Sequence, residues 1–128
     1  MIRDSVIAPV NLREKFAQFS DHWNPRLLAE LNGQQVKLVK FQGEFAWHRH
    51  DQEDELFLVI DGEFTMRLRA EHGGDRVVRT GEFVVIPRGV EHCPSAEREV
   101  QVMLFEPAST LNTGDAVDPR TRRTLETL

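Results

Sequence analysis

Residues 43–62 read GEFAWHRHDQEDELFLVIDG, and the rest of the chain is organised around this stretch. His48 and His50 are two positions apart. In an extended strand such side chains leave the same face, about 6.5–7 Å apart along the backbone. Two imidazoles placed in this way can converge on one metal ion. Glu55 opens the apolar run ELFLVI, which reads as a second strand, and the intervening DQED reads as the polar loop between them. A carboxylate oxygen thereby joins two ring nitrogens. Taken alone, a His-x-His pair on a strand is more often a surface or structural feature than a ligand pair.

Asp61-Gly62 has the chemistry of a two-residue hairpin turn. The register this predicts sets Val59 opposite Phe64, Phe57 opposite Met66 and Glu55 opposite Leu68. Glu55 then shares a face with Phe57, Val59, Phe64, Met66 and Leu68, and Phe57, Met66 and Leu68 become the wall of a small-molecule pocket. The opposite face carries Leu56, Leu58 and Ile60 and is too apolar to meet water along its length. It requires cover from the N-terminal hairpin or from a second subunit.

Upstream, Asn11 and Glu14 have the spacing of a capping box, and Leu12, Phe16 and Phe19 fall near one helical face. A short helix is expected there. Asn32-Gly33 between RLLAEL and QQVKLVKF predicts a type I′ hairpin with Ala29 opposite Val36 and Leu27 opposite Leu38. Downstream, turn signals separate RVVRT, FVVI, PRGVEHCP and EVQVMLFE. Many short strands after one brief helix predict an all-β sandwich or barrel. The chain divides into an N-terminal extension (1–25), a barrel (26–106) and a polar C-terminal extension (107–128), all within one domain. The first part of that last extension is expected to pack as loop and its end to fray.

The chain has 128 residues and a formal charge of -5, with 21 acidic against 16 basic side chains. That charge provides no field to attract nucleic acid or an anionic membrane. The single cysteine excludes an internal disulfide, the start MIRDSVIAPV lacks the pattern of a signal peptide, and no apolar run reaches the length of a membrane span. A cytoplasmic location is the expectation.

With these residues in view, the chain resembles the cupins, small β-barrels with two motifs, G-x5-H-x-H-x3,4-E-x6-G and G-x5-P-x-G-x2-H-x3-N. The first is met by Gly43, His48, His50, Glu55 and Gly62, with four rather than five residues between Gly43 and His48. The second is met by Gly81, Pro87, Gly89 and His92, with Ala96 in place of the final Asn. The resemblance implies a double-stranded β-helix, or jelly-roll barrel. It implies that His48, His50, Glu55 and His92 hold one divalent transition metal per chain, their side chains pointing inward. Such a set leaves two positions of a six-coordinate ion open and suits Fe, Mn, Ni, Cu or Zn better than Ca or Mg. Two functions follow: a metal-dependent enzyme of dioxygenase or isomerase type acting on a small organic molecule, or a non-enzymatic module that binds a small molecule or uses the metal structurally. The inner-face residues that can be placed offer no spare acid or base, so no catalytic residue is named. The chain has no tyrosine, which rules out the Cys-Tyr cross-link of some cupin thiol dioxygenases.

Several neighbours of the motifs have plainer roles. Asp51, Glu53 and Asp54 read as a solvated loop, with Asp54 the one acid that replaces Glu55 if the register slips. His22 and His72 lie outside both motifs, and Cys93 faces away from the histidines as a small buried thiol. Phe45 and Trp47 alternate with the ligands and are expected on the outer face of the metal strand. With Leu56, Leu58 and Ile60 they make a patch suited to a homodimer, the usual arrangement in the family; the alternative cover is the N-terminal helix.

Overall fold

The computed structural model describes residues 6–128. Its elements are α1 (Leu12–Phe16), β1 (Arg26–Leu31), β2 (Gln34–Glu44), β3 (Glu55–Asp61), β4 (Glu63–Leu68), β5 (Arg76–Arg79), β6 (Phe83–Ile86) and β7 (His92–Pro107). The cap of α1 forms as the sequence implies, with the Glu14 N–H donating to Asn11 Oδ1 at 3.0 Å. Asn32 and Gly33 both take positive φ, 52° and 77°, as a type I′ turn requires.

The strands build an all-β jelly roll from one folded-over sheet. One layer runs β1-β2-β7-β3-β6, and β4 and β5 form the other, attached through β4 to the start of β7. β7 belongs to both layers: residues 92–95 pair with β4, and residues 100–107 pair with β2. The hydrogen bonding among the strands does not close into a full ring: β5 and β6 each pair with one strand only, and the far side of β1 meets only a single bridge from Thr127. Phe41, Phe57, Val59, Phe64, Met66, Val100, Val102 and Leu104 fill the space between the layers.

The Asp61-Gly62 turn does not close a hairpin. β3 pairs with β6 and β7, setting Glu55 opposite Ile86 and Phe57 opposite Val84 and Leu104, while β4 pairs with β5 and β7. The turn carries the chain from one layer to the other, with Gly62 at φ 99°. Period-two alternation survives the change of partner: Glu55, Phe57, Val59, Phe64 and Met66 are all buried. In the first hairpin Ala29 faces Val36 as expected, but an irregularity between Leu27 and Ala29 moves Leu27 opposite Lys37 and Arg26 opposite Leu38.

Outside the first layer, two cross-strand rows stand side by side, Val36–Phe105–Leu56–Val85 and Leu38–Met103–Leu58–Phe83. The N-terminal segment covers one end of this face. Phe16 and Phe19 bury Leu38, joined by Leu12, Leu28, Ile60, Met103 and Leu128. The other end stays open, with Phe83 63 % and Val85 47 % exposed. The C-terminus does not fray: Leu27 N–H donates to Glu126 O, Leu128 N–H donates to Leu27 O, and Leu128 joins the outer cluster. Among the described residues, no helix is long and apolar enough to cross a membrane.

Phe16 is 1 % exposed and anchors this outer cluster. Phe16→Ala is expected to lower the unfolding free energy by about 3–5 kcal/mol, read by urea titration. A loss under about 1 kcal/mol would show that the helix contributes little to the fold.

Candidate metal centre

The stretch holding His48 and His50 is not a regular strand; it leaves β2 at Glu44 and touches β7 at one place. There His48 N–H donates to His92 O at 3.0 Å and His92 N–H donates to His48 O at 2.9 Å. Gly89 N–H donates to His50 O at 2.8 Å, tying the PRG turn of the second motif to the first. These bonds put three rings together, with centroids 4.3 Å apart for His48 and His92, 5.1 Å for His48 and His50, and 5.6 Å for His50 and His92. One nitrogen from each lies within 4.8 Å of the others, and all three residues are buried.

The outer nitrogens of two rings are already used. His48 Nδ1 lies 2.8 Å from Ala46 O, and His92 Nδ1 lies 3.0 Å from Val90 O. A ring nitrogen facing a carbonyl carries the proton, so Nε2 presents its lone pair inward, the tautomer a metal needs. Glu55, the first residue of β3, brings Oε1 to 3.2 Å from His50 Nε2 and 3.6 Å from His92 Nε2. It lies outside the 4.8 Å cluster of three nitrogens. His50 Nε2, His92 Nε2 and Glu55 Oε1 are nevertheless buried without a hydrogen-bond partner. Buried polar atoms are normally satisfied. Three orphans converging on one place, two nitrogens and a carboxylate oxygen, suit a divalent transition metal.

Electrostatics sharpen the picture. Burial, with the charge of His92 beside it, pushes His48 down to about 4. Burial opposes charge on His50 as well, but Glu55 outweighs it and raises that imidazole. Burial would raise Glu55; the adjoining Glu106 carboxyl and the imidazoles of His50 and His92 hold it well below the usual carboxylate range.

Glu106 is the acid that inspection of the sequence does not place. It lies on the inner face of β7, 2 % exposed, and accepts from Lys37 Nζ at 2.7 Å. Burial and the neighbouring Glu55 charge push Glu106 well above the usual range. The expectation of no spare acid on the inner face is therefore corrected. The signal is present in the alternation: Lys37 continues the inward series Val39, Phe41, and Glu106 continues Val102, Leu104.

Phe45 is also corrected. Its ring turns inward, stacked on Trp23 at 4.6 Å and edge-on to His48 at 5.4 Å, because the backbone leaves strand geometry after Glu44. Trp47 alone faces outward, with the Arg69 guanidinium 3.7 Å over its ring and Arg67 at 5.4 Å. Phe45 and Trp47 therefore do not share one outer face. Phe57 lines the cavity beside the histidines. Met66 is buried in the core, and half-buried Leu68 stands opposite His92 on the β4–β7 ladder. Asp54 is exposed and engages Arg88, Glu53 accepts from Ser109, His22 meets Glu99 on the surface, and burial pushes the Cys93 thiol up to about 11.

The cavity next to the histidines has a volume of about 30 Å³, space for about one or two waters. Its walls include Trp23, Phe41, Phe45, Phe57, Leu104 and Asn112. Asn112 belongs to the C-terminal segment, which crosses the mouth as a strap. Arg49, between the two histidines, donates its N–H to Asp115 Oδ1 at 2.8 Å and accepts from Asp115 N–H at 3.1 Å. Arg120 then lies 4.5 Å over the Phe45 ring, and Asn112 holds both Arg120 O and Arg122 N–H.

A family model described as Cupin domain matches residues 35–106. This chain belongs to the cupins. The match holds all four histidine and glutamate positions of the centre, while Trp23 and the strap lie outside it. A cupin-2 domain containing protein from Shewanella frigidimarina is 44 % identical, with a TM-score of 0.73 over 77 % of this cupin and 93 % of that chain. Protein NMB1881 from Neisseria meningitidis is 29 % identical, with a TM-score of 0.70 over 79 % of this cupin and all of that chain. The uncharacterized protein YdbB of Bacillus subtilis is 33 % identical over 81 residues, 63 % of this cupin and 64 % of that relative, so the match spans less than two thirds of it.

Two outcomes follow for this cupin. A Cβ on Gly114 would run into the Arg49 carbonyl oxygen and lie 3.1 Å from His48 Cδ2. Gly114→Ala is therefore expected to cost about 1–3 kcal/mol and to speed tryptic cleavage at Arg120 and Arg122; unchanged cleavage would show that the strap is not seated there. Lys37→Met leaves two buried carboxylates without their cation and is expected to cost about 3–5 kcal/mol in urea unfolding. Most of that loss should return in Lys37→Met/Glu106→Leu, and additive losses would show that the pair is not coupled.

Proposed function

We propose that this cupin binds one divalent transition metal through His48, His50, Glu55 and His92, and that the centre acts on a small organic molecule in the manner of a dioxygenase or isomerase. The observation that carries the reading is the set of orphaned buried atoms, His50 Nε2, His92 Nε2 and Glu55 Oε1, beside the His48 ring. A metal bound there would supply a Lewis-acidic centre with open positions. The chain supplies the rest. Ala46 O and Val90 O fix two imidazole tautomers, Glu106 and Lys37 neighbour Glu55 on its far side, and aromatic rings wall the cavity beside His48. The narrowness of the cavity supports the second reading, a non-enzymatic module in which the metal ties the two motifs together and thereby stabilises the fold.

Metal analysis of protein purified without an affinity tag should find about one transition metal per chain in the wild type and under about a tenth of that in His92→Ala. Chelation should lower the unfolding temperature of the wild type and leave His92→Ala unmoved. A metal-free wild type that keeps its full stability would overturn the proposal. Oxygen uptake or product formation with small organic acids then separates the enzyme from the binding module.

A further inference from the structure

Trp23 is the largest of the cavity's wall residues outside the barrel's ladders, and it is held in a backbone conformation that large residues avoid. It lies between α1 and β1 with φ 60°, in the left-handed region that is rare for bulky side chains. Its indole is 8 % exposed. It stacks on Phe41 at 4.4 Å with 15° between planes and on Phe45 at 4.6 Å with 20°. Phe45 in turn meets the His48 ring edge-on at 5.4 Å. The indole thus fills the place of one flat ring, one contact away from the three imidazoles. One backbone hydrogen bond, Trp23 N–H to Lys40 O, and one from the indole, Trp23 Nε1–H to Gln42 O, tie the residue to β2, both 2.9 Å.

The remaining volume of about 30 Å³ admits no organic ring. A ligand of that size reaches the imidazoles only if a wall moves. Phe57 and Leu104 are paired on both sides, and Val39 and Phe41 are held in the long β2–β7 ladder. The walls outside the ladders are Trp23, Pro25, Phe45 and Asn112, and of these Trp23 carries the largest flat ring, on a linker outside the residues matched by the family.

We infer that Trp23 is an internal occupant of the ligand's space, and that the ligand is a planar aromatic ring carrying an oxygen donor. The ring replaces the indole beside Phe41 and Phe45 and directs its donor toward His48, His50 and His92. Flat rings stack where a puckered saturated ring of equal size does not. This deepens the proposed function and rests on it.

The chain has two tryptophans, so Trp47→Phe leaves Trp23 as the sole indole reporter. Phenol titrated into this zinc-loaded variant should shift the Trp23 emission to longer wavelength in a saturable way, as the indole enters water, and cyclohexanol should bind at least about tenfold more weakly. Trp23→Ala, with its slot no longer self-occupied, should bind phenol about tenfold more tightly in calorimetry. If circular dichroism shows that Trp23→Ala does not fold, the emission of Trp47→Phe decides. Phenol binding with unchanged Trp23 emission, equal affinity for cyclohexanol, or no phenol binding at all overturns the inference. Zinc uptake is measured on the same sample. Its absence counts against the metal centre alone, because phenol-driven displacement of Trp23 is still read in the metal-free protein.

Discussion

Two hydrogen bonds hold the centre of this protein together, those exchanged between the backbones of His48 and His92. They join stretches more than forty residues apart and put two imidazoles on one side, 4.3 Å between centroids. Facing residues of an antiparallel bridge direct their side chains alike, so the backbone contact and the ring cluster are one event. The Nδ1 contacts to Ala46 O and Val90 O follow from the same geometry, each ring reaching the carbonyl two residues before it. His50 enters through the Gly89 contact, and Glu55 through the first rung of β3. No single element carries the site; the bridge registers four of them.

That registration depends on β7. His92 is its first residue, and farther along the strand pairs with β2 and β3, whose inner faces line the cavity. A shift of β7 by one residue would turn His92 outward together with Val100, Val102 and Leu104, so burial of the core and assembly of the centre enforce the same register. The chain ends are fitted around this frame. The segment before β1 places Trp23 in the mouth, the strap after β7 seats Asp115 on Arg49, and the C-terminus returns to β1.

How much of this was legible in the sequence depended on the range of the signal. The α1 cap, the Asn32-Gly33 turn and the inward alternation of β3 and β4 are local properties and were readable from local residues. Strand partnership is not local. Asp61-Gly62 has hairpin chemistry, yet the apolar residues on both faces of β3 gain more from a central position between β6 and β7 than from pairing with β4. Strand alternation puts Phe45 on the outer face only while the backbone stays extended, and that ends with β2 at Glu44. The grouping of the three histidines was readable through the two motifs. The walls of the cavity were not, since Trp23 and Asn112 come from irregular segments that carry no periodicity.

Lys37 and Glu106 raise the question of why an apolar interior keeps further charge. Glu55 beside the imidazoles needs a partner on its other side, or its carboxylate would sit in the core half-solvated. Glu106 is the neighbour on that side, and Lys37 in turn donates to Glu106 Oε1 at 2.7 Å. The series runs from the groove lined by Lys37, Thr110 and Arg122 to the ring cluster. What stays unsatisfied lies at its inner end, on His50, His92 and Glu55, together with Glu106 Oε2 within the series. Apolar replacements at Lys37 and Glu106 would fill the same space without desolvation cost. A fold that had only to pack its core would have no use for the series; it has one if Glu55 must be held, charged and oriented, facing three imidazoles.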